Sequence, residues 1–179
     1  VTGSEHAIAT WLSSFGVEVG SISEETMALM SSFFWGFICV GRLIWCIVSE
    51  LINTAWPMLF ADILFMLSGS LTFLGYSISP DGNEPVLWVA CMFFALGVSS
   101  SLPCAFTLPR ECNTQITPSA LLAFNVGGTM GETIFPMVVG IAFDLKVHLA
   151  LGVLLTSSQG VALISAAVGY FAVGGFRRR

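Results

Sequence analysis

Charge is what this sequence has least of. Of its 179 residues only 9% are Asp, Glu, Lys or Arg, and only six are Lys or Arg. Soluble domains carry roughly 25% charged residues, so a water-facing surface of ordinary composition is excluded. Basic tracts are missing apart from Arg177, Arg178 and Arg179 at the very end, which leaves no basis for a nucleic-acid partner. No CxxC pair occurs among Cys39, Cys46, Cys91, Cys104 and Cys112. A metal site is therefore not indicated, and the thiols read as small buried hydrophobes. The linkers hold no N-x-S/T acceptor. No nucleotide loop, catalytic triad or metal-ligand set appears, so neither an enzyme nor a resident cofactor is expected.

What is present is hydrocarbon. The chain is 55% hydrophobic, with a mean hydropathy of +0.88. A helix crossing a bilayer needs about 20 mostly apolar residues. Six apolar segments meet or approach that length, at 1–17, 26–49, 56–76, 85–108, 119–143 and 149–176. The first is the shortest, and the chain opens on Val1 already inside it, which predicts a piece of a longer protein. Strands are not expected, because the runs are apolar on all sides rather than alternating. The linkers at 18–25, 50–55, 77–84, 109–118 and 144–148 are short and polar. One six-helix bundle over 1–179, an all-α membrane protein seated in the lipid bilayer, follows.

Lys and Arg placement sets the expected orientation. Alternating the linkers between sides puts Arg110, Arg177, Arg178 and Arg179 on one side and Lys146 alone on the other. The Arg-rich side, with the C-terminus, is expected to be cytoplasmic.

A charge in the bilayer core costs about 2.5–3.5 kcal/mol on insertion scales, so ionisable residues inside spans must face a bundle interior or an aqueous cavity. Glu132 is the fourteenth residue of the 119–143 span, close to its middle. Helical spacing aligns it with Asn125, Gly128, Pro136 and Gly140. Gly127 and Gly131 form a GxxxG pair on the adjacent face, where another helix can approach. Two readings stand: a coupling-ion or substrate site that exchanges a proton with water, and a glutamate bonded to a neighbouring helix.

Arg42 and Asp62 lie at matching depths in the second and third spans, roughly 9–12 Å from the same boundary. If consecutive antiparallel helices pack together, the two form an ion pair, either structural or acting as a gate. Glu5 and His6 sit low in the first segment, with Thr10, Trp11 and Ser14 following. A Trp flanked by hydroxyls and a carboxyl suits a sugar. A cavity-lining helix with Trp11 as packing is the other reading. In the fourth span Ser99, Pro103 and Thr107 align on one face, which favours a bending, cavity-facing helix.

Four stretches in register carry a resemblance: VTGSEHAIATW (1–11), FFWGFICVGRL (33–43), SLPCAFTLPRE (101–111) and GGTMGETIFPMVVGIAFD (127–144). With them the chain resembles the C-terminal half, helices seven to twelve, of a major facilitator superfamily transporter. The look is that of the sodium-dependent glucose transporter-like and fucose permease branch. The resemblance implies alternating access between two six-helix halves, of which the N-terminal one is missing here, with substrate near the midplane. It implies that the first and fourth helices line the central cavity. It also implies transport of a small solute, a hexose-type sugar, driven by Na⁺ or H⁺. Glu132, Glu5, Trp11, Asn125 and Thr10 are then the candidates for substrate or ion contact. An organic-anion or drug carrier of the same superfamily would need a cation facing the cavity, and Arg42 is the candidate. A non-transporting six-span accessory or receptor-like protein is the alternative of another class.

Overall fold

The computed structural model describes residues 1–79, 83–112 and 115–172. Six α-helices follow one another: α1 (Thr2–Gly20), α2 (Glu24–Leu51), α3 (Trp56–Ile78), α4 (Glu84–Glu111), α5 (Pro118–Asp144) and α6 (Leu149–Ala172). No strand occurs among the described residues. The all-α, six-helix reading is what the chain adopts, with boundaries within a few residues of those expected. The end of the sixth expected span, at 173–176, and the arginines at 177–179 lie outside the described residues.

Local chemistry sets the ends. Ser23 caps α2, its hydroxyl accepting from the Thr26 amide at 3.2 Å. Glu24 and Glu25 follow in the first turn, where the helix dipole favours acids. Thr117 caps α5 in the same way, accepting from Ala120 at 3.2 Å. Pro118 opens that helix, where a missing N–H costs nothing.

Helices α2 to α6 are each long and apolar enough to cross a membrane; α1 is not among them. With large hydrophobics exposed along α2, α5 and α6, the chain is an integral, multi-pass membrane protein. The more polar α1 is enclosed instead, packing on α2, α4, α5 and α6. Its Ala7, Ile8, Leu12 and Phe15 are fully buried. The other central helix, α4, packs on α1, α2 and α3, while α3 packs on α4 and α6.

The thiols do not all read as expected. Cys91 and Cys104 are buried, but Cys39 and Cys46 are exposed on α2 and Cys112 is intermediate. In an apolar solvent an exposed thiol loses little, so composition alone does not bury it.

Helix approach depends on missing side chains. A Cβ on Gly97 of α4 would lie 2.5 Å from the Asp62 carbonyl oxygen and 2.6 Å from the Met66 amide nitrogen of α3. Between α1 and α5, a Cβ on Gly3 would lie 2.7 Å from the carbonyl oxygen of Gly131. Gly127 meets nothing within 4 Å. Of the expected GxxxG pair, only Gly131 is therefore at a crossing, and its partner is Gly3.

Because backbone cannot give way as a side chain can, Gly97→Ala should part α3 from α4 and destabilise the bundle by about 1–3 kcal/mol. Gly127→Ala should leave stability unchanged. Thermal unfolding in detergent, followed by circular dichroism, separates the two; equal melting temperatures would contradict this account of the α3–α4 contact.

Candidate functional site

Two cavities flank the second half of α4. The larger, about 750 Å³, is lined from α1, α3, α4, α5 and α6 and includes Asn125, Thr129 and Glu132 of α5 together with Ser101 and Ser165. The smaller, about 430 Å³, lies between the end of α2 and α4. Arg42, Trp45, Ser99, Ser100, Cys104 and Thr107 line it. Ser100 borders the smaller cavity and Ser101 the larger, so α4 contributes to both.

Glu132 and Asn125 thus share a cavity, as their spacing on α5 implies. Glu132 is half-buried, and its Oε1 lies 4.0 Å from Nδ1 of His6 on α1. That ring nitrogen is also 3.2 Å from the Thr2 carbonyl oxygen. Glu5, one residue before His6, is within electrostatic reach of His6, Arg42 and Glu132. Two helices, α1 and α5, therefore bring the His6 imidazole to the Glu132 carboxyl. His6 is the member that sequence reasoning did not place in the site. The signal for it lay in the helix register, since it needs only α1 packed on α5 to face Glu132. Glu5, Thr10 and Trp11 line neither of the two cavities.

Trp11 is held by α5. Its Nε1–H donates to the Pro136 carbonyl oxygen at 2.8 Å, and its ring meets Phe143 edge-on at 5.4 Å between centroids. Gly140 provides the room, since a Cβ there would lie 2.6 Å from the indole. The packing reading of Trp11 is the one that accounts for this geometry.

The Arg42–Asp62 pair does not form. Asp62 is fully buried and its Oδ2 accepts from the Ser100 hydroxyl at 2.5 Å. Arg42 is exposed in the smaller cavity, and the carboxyl it acts on is that of Glu5. The reason is packing order. Consecutive helices α2 and α3 each pack on α4, which comes between them. Matching depth along two helices does not imply contact when a third occupies the gap.

The chain is similar to major facilitator superfamily proteins. It is 24% identical over 138 residues to "Sodium-dependent glucose transporter 1" of Danio rerio, which covers 77% of this chain and 22% of that protein. The Homo sapiens protein of the same name is 24% identical over 139 residues, with 78% and 26% covered. "Major facilitator superfamily domain-containing protein 4A" of Mus musculus is 28% identical over 141 residues, again with 78% and 26% covered. The chain spans about a quarter of the length of these curated relatives. No protein-family model matches it, and no solved structure does. The all-helical, membrane-spanning bundle is consistent with a part of such a protein.

The separation of Arg42 from Asp62 has a measurable consequence. In a double-mutant cycle with Arg42→Ala and Asp62→Asn, the stability losses should add to within about 0.5 kcal/mol. Rescue of one change by the other, read from chemical or thermal unfolding, would restore the pairing.

Proposed function

We propose that the chain is one half of a secondary active transporter, working by alternating access with a second six-helix half and carrying a hexose-type sugar. The observation that carries this reading is the approach of Glu132 on α5 to His6 on α1, with Glu132 and Asn125 lining the larger cavity. Isolated ionisable side chains are expensive in a bilayer and mark substrate and ion pathways. The names of the glucose-transporting relatives support the sugar. Binding would be completed by the facing half, because half-exposed groups such as Glu132 and His6 need that second wall to be desolvated.

In this reading Glu132 binds the coupling ion, Na⁺ or H⁺, with Asn125 and Thr129 offering polar contacts to solute in the same cavity. Glu5 and Thr10 face the missing half. The end carrying Arg110 is cytoplasmic, opposite Lys146, in keeping with the positive-inside bias.

A second reading has its own observation: Arg42 is exposed in a cavity rather than neutralised by Asp62. A guanidinium so placed suits a carboxylate on the solute, which is the organic-anion carrier reading.

The test uses the full-length protein in proteoliposomes, with labelled hexoses and monocarboxylates, under Na⁺ or pH gradients. Gradient-driven hexose accumulation is expected. Glu132→Gln should reduce it to passive equilibration while leaving expression intact; unchanged accumulation would remove Glu132 from coupling. Uptake of the anions alone, abolished by Arg42→Gln, would replace the sugar reading. No uptake of either would favour a non-transporting membrane protein.

A further inference from the structure

Asp62 is left over by the reading above. It sits on α3, six residues after Trp56, and is fully buried where α3 presses on α4. Its Oδ2 accepts from Ser100 at 2.5 Å, while its Oδ1, equally buried, has no hydrogen-bond partner among the described residues. A carboxylate held this way would be a charge with half its lone pairs unmet in an apolar setting. A carboxylic acid there needs no counter-charge.

Among the described residues no cationic group forms an ion pair with Asp62. From α4 the facing groups are Ser100, Cys104 and, one helical stretch further, Glu111. The α6 helix brings no ionisable side chain besides Tyr170, whose ring packs on Trp56 and Phe60. Arg42 of α2 lies in the smaller cavity. A metal cation would need a shell of several oxygens, and the Ser100 hydroxyl is the one side-chain oxygen bonded to this carboxyl. A proton needs no shell.

There is also a route. Ser100 and Cys104 line the 430 Å³ cavity, whose other walls include Ser49, Asn53 and Thr54. Ser100 therefore borders the cavity as well as bonding Asp62. We propose that Asp62 is a proton-binding site, distinct from the Glu132 cluster, that loads and unloads through Ser100 from the α2–α4 cavity. On loading, Ser100 Oγ accepts a proton from a hydronium ion in the cavity as its own hydroxyl proton passes to Asp62 Oδ2; neutral water is left behind, and the carboxylate becomes the neutral acid. Unloading is the reverse, and the count of protons balances. The site does not depend on what the assembled protein carries.

The chain in lipid nanodiscs tests this without any transport assay. Its aspartates are three, Asp62, Asp81 and Asp144. In the wild type labelled with ¹³C-aspartate, one carboxyl carbon signal should titrate separately from the other two between about pH 4 and pH 10. The isotope-shifted infrared band, which reports the ¹³C-labelled aspartates and not the glutamates, should show a protonated carboxyl over the same range. Ser100→Ala should shift both signals and slow proton exchange. Asp62→Asn, checked for retained helicity, should abolish them. A third carboxyl signal that never titrates, or a titrating band that persists in Asp62→Asn, would overturn the proposal. The wild-type measurement decides the matter even if Asp62→Asn fails to fold.

Discussion

The backbone contact between α3 and α4 is the constraint from which much of the structure follows. Gly97 on α4, lying against the carbonyl of Asp62 and the amide of Met66, lets the two helices close on one another where any larger residue would hold them apart. With no hydrophobic force between helices in lipid, such close approach is a main source of association. It places Ser100, one turn on from Gly97, within hydrogen-bond distance of Asp62. It also fills the position beside α3 that α2 would otherwise take. Arg42 is turned into a cavity as a result, and meets the field of Glu5 instead.

A second contact of the same kind works on the other side of the bundle. Gly3 and Gly131 bring α1 onto α5, and farther along the Trp11 indole donates to the Pro136 carbonyl over the space left by Gly140. The same proline weakens α5 beside that bond. Having no N–H, it leaves the Glu132 carbonyl without its usual intrahelical donor one turn earlier. A helix weakened there is stiffened by a neighbour's side chain. Two tight pairs, α1–α5 and α3–α4, then leave loosely packed space between α4 and α5, spanned by the Phe106–Phe124 rings at 4.9 Å. That space is the larger cavity.

The six helices and nearly all their ends are readable from the chain, because apolar length, short polar linkers and caps such as Ser23 and Thr117 are local features. The cluster around Glu132 is half readable. Its depth and its Asn125 face-mate follow from helical spacing, whereas His6 enters only through the crossing at Gly3 and Gly131. The Arg42–Asp62 pairing shows where reading stops. Depth is encoded along one helix, but neighbour choice depends on which small-residue faces fit, and consecutive helices need not be neighbours. Trp11 shows the same limit: its aromatic surface suggests a sugar, and only the position of Pro136 reveals that its N–H is already taken.

The two deep carboxyls differ in a way that bears on function. Glu132 is 35% exposed by its side chain, beside an imidazole. Asp62 is wholly enclosed, with one hydroxyl for company. A group open to a cavity can exchange an ion or bind a solute, and its charge can be met by water or by mobile partners. A group sealed in a helix contact can exchange only what a single hydroxyl passes, and gaining or losing charge there acts on the contact itself. Because Gly97 abuts the Asp62 backbone, charge at Asp62 is felt by the α3–α4 packing before it is felt anywhere else. The bundle therefore separates an open polar site from a sealed one, and both α3 and α4 border the two cavities.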